Sequence, residues 1–228
     1  MEYVQGVDLR SKVKQSGPLD IATAMQCTAE AARGLHHAHE KGIVHRDVKP
    51  GNIMLKRSGH TKIIDIGSAF DIADPPERRA CTPSYAALEV LKGTDNTPRS
   101  DLASLGYVTV ELLAGKPVFG GINDFAELIE AKQTLPNRLH EILPAEVSTN
   151  ELLMAFCQGL IDPDPEKRFQ SAEAADLVEI GAAAFHRQLV KDDLASEYEN
   201  DIRIWIDELL EIEAASPGFL TGNFLELR

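Results

Sequence analysis

The sequence predicts a mainly α-helical fold that carries one small β-hairpin. Apolar residues recur at the spacing of helix faces along most of the chain, and a Ser-Gly turn at residues 58–59 separates two short apolar runs. The chain can bury a substantial core, because 43% of its 228 residues are hydrophobic and 26% are charged. The segments with helical spacing are residues 19–40, 101–114, 124–132, 149–161 and 171–185.

The predicted elements follow one another in a simple order. After the helix over residues 19–40 comes the hairpin, which is expected to pair Ile53–Leu55 with Ile63–Ile64. Residues 68–99 hold four of the twelve prolines and many charged side chains, so we expect a long irregular loop there. Loops are also expected between the later helices, and one of these loops contains Pro136.

Residues 183–228 form a segment of different character. Apolar residues recur every three or four positions, which is typical of one face of a long helix, expected over residues 186–214. The segment holds four basic and ten acidic side chains, a net charge of −6. We expect this helix to pack on the rest of the chain or to contact a partner or a second copy. The stripe consists of Val190, Leu194, Tyr198, Ile202, Trp205, Leu209 and Ile212.

Charge, hydropathy and cysteine spacing exclude several classes of protein. Against 23 lysines and arginines stand 36 aspartates and glutamates, a formal net charge of −13, which argues against nucleic acid as the main partner. No apolar run approaches the roughly 18 residues that a membrane helix needs, and the N-terminus lacks a signal-peptide pattern. The three cysteines show no CxxC spacing, so neither a disulfide framework nor a zinc site is expected. These observations predict a cytoplasmic location.

One stretch and one downstream aspartate carry residues suited to phosphoryl transfer. That reaction needs a carboxylate at the attacking hydroxyl, a cation near the transferred phosphoryl group and oxygen ligands for magnesium. Asp47 supplies the carboxylate and Lys49 supplies the cation. Asn52 and Asp65, which lies thirteen positions later at the end of an apolar run, supply the oxygen ligands. The stretch reads His45-Arg46-Asp47-Val48-Lys49-Pro50-Gly51-Asn52.

Five motifs follow one another in a fixed order along the chain. After HRDVKPGN come DIG at residues 65–67, CTPSYAALE at 81–89, SDLASLG at 100–106 and DPDPEK with Arg168 behind it. In this order they resemble the catalytic loop, the DFG motif, the GTPxYxAPE segment and the later helices of eukaryotic-type serine/threonine protein kinases. The resemblance implies that residues 1–182 fold as the C-terminal lobe of such a kinase and that residues 183–228 are a helical extension.

The resemblance implies a role for each residue of the candidate site. Asp47 would orient the substrate hydroxyl and accept its proton. Lys49 would contact the moving phosphoryl group, and Thr82 would link Lys49 to Asp47. Asn52 and Asp65 would hold Mg²⁺. Lysine at position 49 is the choice of serine/threonine kinases, so the expected reaction transfers the γ-phosphoryl group of ATP to serine or threonine of a protein substrate.

The same resemblance implies a set of ATP-binding residues. The stretch Met1–Val4 resembles the hinge, where the backbone of Glu2 and Val4 would bond the adenine base. Asp8 falls at the position of a ribose-binding carboxylate. Met54 would lie beneath the adenine ring.

The resemblance also implies two pairs of residues that support the candidate site. Glu89 and Arg168 are expected to form a buried ion pair, which arginine can make with two parallel hydrogen bonds. His45 and Asp101 would brace the catalytic loop from below. Asp101 has an alternative interpretation as the N-cap of the helix that follows Ser100.

The activation segment carries an unusual charge pattern. In the family, the arginine at position 46 receives an activation-loop phosphate, yet no serine, threonine or tyrosine occurs between residues 69 and 81. Asp71, Asp74 and Glu77 lie there instead. We expect one of these carboxylates to pair permanently with Arg46.

Departures from the family pattern leave two functions open. The chain begins at the hinge, so the glycine-rich loop and the β3 lysine are not among its 228 residues, and we expect Met1 to be an internal methionine. Ile66 replaces the phenylalanine of DFG and is expected to fill an apolar slot. The chain is either a serine/threonine kinase or a kinase-derived lobe that binds partners without catalysis. A small-molecule phosphotransferase is disfavoured, because residues 82–89 and Arg168 suit kinases with peptide substrates.

Overall fold

The computed structural model describes residues 5–73, 81–177 and 181–182. The predicted adenine contacts Glu2 and Val4 lie outside them, and so does the predicted helix over residues 186–214.

The described part of the chain is rich in helix, as the sequence predicts. The longest helices are those expected from the spacing of apolar residues, and short helices and single turns connect them. The helices are α1 (Leu9–Ser16), α2 (Ile21–Glu40), α3 (Leu88–Leu91), α4 (Pro98–Ala114), α5 (Phe125–Ile142), α6 (Ala145–Ser148), α7 (Glu151–Ile161) and α8 (Ala172–Leu177).

Side-chain caps fix where the main helices begin. The carboxylate of Asp20 accepts a hydrogen bond from the Thr23 amide at the start of α2, at 2.9 Å. At the start of α4, Thr97 and Ser100 satisfy each other's backbone amides in a capping box. These caps supply hydrogen bonds that the first turn of a helix cannot make within itself.

Five short strands form two small antiparallel sheets among the described residues. The first sheet has the order β1-β3-β4, and Val7 lies opposite Leu55 while Ile53 lies opposite Ile63. The second sheet pairs Val44 with Phe70. Both sheets border the loop that carries the candidate site. The strands are β1 (Gly6–Asp8), β2 (Ile43–Val44), β3 (Ile53–Lys56), β4 (Thr61–Ile63) and β5 (Phe70–Asp71).

Helix α4 runs through the core and is buried along nearly its whole length. It packs against α2 on one side and α7 on another. Gly106 permits the close approach to α7, because a Cβ atom there would lie 2.5 Å from Cγ2 of Ile161. A helix that is buried on nearly every side is surrounded by protein or by lipid. Here protein surrounds it, and no helix in the described ranges is long and apolar enough to cross a bilayer.

The structure differs from the sequence prediction at several places: β1, β2 and β5 lie outside the predicted hairpin, and α3 lies within the predicted loop of residues 68–99. Pro136 lies inside α5 rather than in a loop, and the helix continues to Ile142. An internal proline costs a helix about 3 kcal/mol, but Leu135 and Leu139 on either side are buried in the core and hold the helix together. Helix α1 was not predicted, because its eight residues are too few to show a clear apolar period.

Candidate active site

The loop between β2 and β3 is held from below by one buried carboxylate. Asp101 is 1% exposed, and its two oxygens accept the backbone amides of His45 at 2.8 Å and Arg46 at 2.9 Å. The ring of His39 lies 2.9 Å from the same carboxylate. Arg46 needs this support, because its φ of 69° lies in the left-handed region that non-glycine residues rarely adopt.

This geometry decides between the two interpretations of Asp101. The N-cap of α4 is Thr97, four residues earlier, so the interpretation of Asp101 as the N-cap is wrong. Asp101 instead bonds to the backbone of the loop, as the resemblance implies. A carboxylate in the first turn of α4 is also favoured by the helix dipole.

Asp47 lies at the centre of a compact polar cluster. The Thr82 hydroxyl donates to Oδ1 of Asp47 at 2.6 Å, and the Lys49 ammonium donates to Oδ2 at 2.5 Å. Lys49 also lies 3.3 Å from the Thr82 hydroxyl. The side-chain amide of Asn52 donates to the backbone oxygen of Asp47 at 2.9 Å and to Oδ2 at 3.1 Å. Four residues that the sequence singles out are therefore in direct contact.

The cluster keeps Asp47 ionised. Partial burial acts to raise the pKa of this carboxyl, but the hydrogen bonds from Lys49, Thr82 and Asn52 and the charge of Lys49 outweigh burial and lower it. At neutral pH Asp47 is therefore a carboxylate with only acceptor oxygens. Such a group can orient a hydroxyl that approaches it.

Asp65 lies beside this cluster at the end of the β3–β4 pair. The Ile64 amide donates to the Asn52 carbonyl at 2.9 Å, which brings the residue before Asp65 next to Asn52. Asp65 is exposed and adopts a φ of 61°, and one carboxylate oxygen accepts the Gly67 amide at 3.2 Å. Within the described ranges, Arg46 and Asp65 are the non-glycine residues with positive φ. Such backbone conformations cluster at functional sites.

Asn52 and Asp65 fit a magnesium ion by the chemistry of their donors. The Asn52 amide nitrogen is committed to Asp47, which leaves the amide oxygen as an acceptor. Asp65 offers an exposed carboxylate, and Mg²⁺ prefers oxygen ligands from one or two such residues together with phosphates and water. In the described part of the chain, no group of three or more histidines, cysteines or acidic residues could hold a metal ion.

The expectation that Ile66 fills an apolar slot is wrong for the described residues. Ile66 is 74% exposed and lies in a single 3₁₀ turn, Ile66–Ser68. This turn stands away from the helical core, so no described element covers the side chain.

The segment after Cys81 is tied to the core at two points. The Tyr85 hydroxyl donates to the buried Glu111 carboxylate at 2.6 Å. Arg168 donates to both carboxylate oxygens of Glu89 at 2.8 and 2.7 Å, which confirms the predicted ion pair. Backbone hydrogen bonds also close a turn at the start of this segment, because the amides of Tyr85 and Ala86 both donate to the Thr82 carbonyl at 2.9 Å.

A lysine that no sequence motif singles out lies beneath this segment. Lys132 of α5 is 0% exposed, and its ammonium donates to the Ser84 carbonyl at 2.8 Å. The same nitrogen lies 3.9 Å from the ring centre of Tyr107 and 4.1 Å from that of Phe119. The only available signal was the position of Lys132 four residues after Leu128, on the apolar face of α5.

A cavity of about 460 Å³ opens beside Thr82. Ser84 and Tyr85 line one wall, Arg10 and Val13 of α1 line another, and the connection between α4 and α5 closes the third. The cavity shares Thr82 with the Asp47 cluster. A chain that reaches Asp47 can therefore place a neighbouring side chain in it.

Of the residues expected to contact the adenosine part of ATP, the described part of the chain contains Asp8 and Met54. Asp8 and Met54 face each other across the β1–β3 pair. The Asp8 carboxylate caps α1, because its oxygens accept the Ser11 amide at 2.9 Å and the Ser11 hydroxyl at 2.7 Å. Burial acts to raise the pKa of Asp8, and the bonds from Ser11 outweigh it and lower the pKa.

The expected pairing of Arg46 stays a prediction. Arg46 is buried, and its guanidinium lies 5.2 Å from the ring centre of Phe70. The Asp71 carboxylate accepts the Ala73 amide at 2.9 Å. Asp74 and Glu77 lie outside the described residues.

Comparison with known families decides the classification. A profile of the protein kinase domain matches residues 1–178, which is more than three quarters of the chain. The chain belongs to the protein kinase family. The resemblance drawn from the sequence motifs is thereby confirmed at the level of the family.

Individual relatives are bacterial serine/threonine kinases. The serine/threonine-protein kinase PknB of Mycobacterium tuberculosis is 35% identical over 191 residues, which cover 79% of this chain and 30% of that kinase. A probable serine/threonine-protein kinase of Clostridium perfringens is 33% identical over 180 residues, covering 76% of this chain and 25% of that protein. One from Corynebacterium efficiens is 33% identical over 186 residues. This chain thus spans less than a third of the length of these relatives.

Proposed function

We propose that this chain is the catalytic lobe of a serine/threonine protein kinase that transfers the γ-phosphoryl group of ATP to a protein substrate. The observation that carries the proposal is the contact of the Asp47 carboxylate with Lys49, Thr82 and Asn52. A structural role alone would not require a carboxylate, a cation and a hydroxyl to meet at one partly open point. We propose residues 1–182 as this lobe and residues 183–228 as an extension available to a partner or a second copy.

Asp47 orients the hydroxyl of the substrate serine or threonine. Its carboxylate accepts the hydrogen bond of that hydroxyl and takes the proton as the oxygen attacks the phosphoryl group. Thr82 holds one carboxylate oxygen in place, at 2.6 Å. A fixed carboxylate limits the directions from which the hydroxyl can approach, which is the positional part of catalysis.

Lys49 supplies positive charge to the transferred group. Its ammonium lies between the Asp47 carboxylate and the Thr82 hydroxyl, so it stands beside the point where the substrate hydroxyl would bind. Charge develops on the oxygens of the phosphoryl group during transfer, and a fixed cation stabilises it.

Asn52 and Asp65 would hold Mg²⁺, and bound Mg²⁺ would neutralise charge on the ATP phosphates. The Asn52 amide also keeps the Asp47 backbone in place, at 2.9 Å. Glu2 and Val4 are the proposed adenine contacts, Asp8 the ribose contact and Met54 the residue beneath the base. Asp8 would contact the ribose while it caps α1, because a carboxylate oxygen can accept more than one hydrogen bond.

A second candidate function is a binding module without catalysis. One departure from the family's motifs favours it: Ile66 stands where the DFG motif has phenylalanine, and its side chain is 74% exposed among the described residues. In that case the same fold would present its surfaces to a partner.

Phosphoryl transfer by the full-length protein separates the two candidates. With Mg²⁺ and ATP labelled at the γ-phosphate, the kinase proposal expects label on serine or threonine of a degenerate peptide library and none on tyrosine. Phosphoamino-acid analysis of the labelled peptides gives the answer. No transfer would support the binding module, and label on tyrosine would contradict the assignment based on Lys49.

A further inference from the structure

Lys132 is a buried cation for which no described carboxylate lies within ion-pair distance. One of its N–H groups is satisfied by the Ser84 carbonyl at 2.8 Å. The rest of the ammonium faces the rings of Tyr107 and Phe119, whose centres are 3.9 and 4.1 Å away. The two rings meet edge to face, with centres 5.1 Å apart. The rings and the carbonyl thus form a closed pocket for one amine.

The fold does not need a charge at this place. Burial of an ammonium without a carboxylate partner is costly, and here burial lowers the pKa of Lys132 well below its ordinary value. A methionine has nearly the same length, would pack against the same two rings and carries no such cost. The lysine therefore points to a requirement other than stability, and its single hydrogen-bond partner identifies that requirement.

Ser84 lies in the middle of the turn that carries Thr82. The amides of Tyr85 and Ala86 donate to the Thr82 carbonyl, so the turn moves as a unit. At one end Thr82 contacts Asp47, and at the other end the Tyr85 hydroxyl contacts Glu111. The bond from Lys132 is the contact that ties the centre of the turn to α5.

The turn is also one wall of the cavity beside Thr82. Ser84 and Tyr85 line that wall, and Tyr107 and Phe119 line the adjoining surface of the same cavity of about 460 Å³. Lys132 lies behind the junction of the two surfaces, because it contacts Ser84 and both rings. The length of the Lys132 side chain therefore sets the distance between the wall formed by Ser84 and Tyr85 and the surface formed by Tyr107 and Phe119.

We propose that Lys132 is a positioning residue that holds the turn of residues 82–86 in the conformation that receives the protein substrate. The inference rests on the proposed kinase function. Lys132 touches neither the substrate nor the phosphates; it acts through the Ser84 carbonyl. Loss of the bond lets the turn shift, which alters the cavity and the position of Thr82, and leaves the proposed ATP-binding residues unaffected.

Three variants of the full-length protein test the proposal. Lys132→Met removes the N–H donor and keeps the bulk, and Lys132→Arg keeps both a donor and the attraction to the rings. Lys41→Met is the matched control, because Lys41 is an exposed lysine at the C-terminal end of α2 and does not line the cavity. We expect Lys132→Met to raise the KM for a serine/threonine peptide roughly tenfold, to leave the KM for ATP unchanged and to leave the melting temperature unchanged or higher. Lys132→Arg is expected to restore most of the peptide KM.

Hydrogen exchange separates failure of this inference from failure of the proposed function. The amides of Tyr85 and Ala86 report on the turn in residues 1–228 whether or not the protein transfers phosphate. We expect Lys132→Met to accelerate their exchange roughly tenfold, and Lys41→Met to leave it unchanged. Unchanged exchange in a folded Lys132→Met variant, or a peptide KM within about twofold of wild type, would overturn the inference. If Lys132→Met does not fold, exchange in Lys132→Arg as slow as in wild type supports the inference, and fast exchange in that folded variant overturns it.

Discussion

Arg168 and Glu89 form a two-pronged ion pair that joins the end of the segment of residues 81–89 to the loop after α7. The two N···O distances are 2.8 and 2.7 Å, the Arg168 side chain is 0% exposed, and the Glu89 side chain is 15% exposed. Arg168 also donates to the carbonyls of Asp162 and Arg99 at 2.7 and 3.0 Å. The Arg168 guanidinium thus bonds to three separate parts of the chain. It supports the segment that follows Thr82 through its bonds to Glu89.

Removal of this guanidinium should destabilise the fold strongly. We expect Arg168→Met to lower the free energy of unfolding by about 3–5 kcal/mol, because it leaves the Glu89 carboxylate buried without its partner. Urea denaturation followed by circular dichroism measures the change. Arg138→Met is the matched control, since Arg138 forms an exposed pair with Glu141 at 3.1 Å and should cost less than about 1 kcal/mol. Equal losses in the two variants would contradict the structure.

The same pair should make stability depend on pH in a predictable direction. Burial acts to raise the pKa of Glu89, and the hydrogen bonds and charge of Arg168 outweigh burial and lower it. A carboxyl with a lowered pKa in the folded chain contributes stability above its unfolded value of about 4.3 and loses that contribution as the pH falls towards the folded value. We expect the stability difference between wild type and Glu89→Gln to be constant from pH 7 to about 5 and to shrink below about pH 4.3. A difference that does not change down to pH 3 would show that Glu89 is not held as a carboxylate.

Loss of one oxygen of Asp101 should disturb the catalytic loop from beneath. Asp101→Asn places an amide NH₂ against the backbone amide of His45 or Arg46, so one buried donor loses its acceptor. We expect a loss of about 1–3 kcal/mol in the free energy of unfolding, together with reduced phosphoryl transfer. Asp124→Asn at the exposed start of α5 is the control, because asparagine caps a helix as well as aspartate does. Wild-type stability and activity in Asp101→Asn would contradict the bracing role.

Residues 1–228 alone should be a poor kinase. They hold both proposed magnesium ligands, Asn52 and Asp65, but not the glycine-rich loop and lysine that fix the phosphates in the family. We expect peptide phosphorylation at least roughly 10²-fold below that of a serine/threonine kinase of the family that contains both groups. Equal rates for the two proteins would show that Asp47, Lys49 and their neighbours suffice for catalysis.

The sequence predicted the parts of the fold that depend on local pattern. Helices α2 and α7 each bury a stripe of apolar residues, so their periods are visible along the chain, and α4 is buried on nearly every side. Residues of the Asp47 cluster were identified because Asp47, Lys49 and Asn52 lie in one short stretch. Thr82 was identified only through the resemblance, since its contact with Asp47 joins positions 35 residues apart.

The features of the fold and the site that the sequence did not predict depend on contacts between residues far apart in the chain. Pro136 stays inside α5 because buried neighbours on the same helix outweigh its missing N–H group. Lys132 is usually the kind of side chain found at a surface, and only the fold brings Ser84 and two rings around it. Ile66 is 74% exposed because no described element packs over its side chain.

The most direct test of the account is the turnover number of Asp47→Asn in the full-length protein. Asparagine keeps the shape of the side chain and an acceptor oxygen for Thr82, but it cannot take the proton of the substrate hydroxyl. The control is Glu130→Gln, which removes an exposed carboxylate of α5 and should leave turnover unchanged. We predict that Asp47→Asn lowers kcat for a serine/threonine peptide by about 10²–10⁴-fold while the circular dichroism spectrum stays that of wild type. A folded Asp47→Asn variant with kcat within about threefold of wild type would contradict the assignment of Asp47 as the catalytic base.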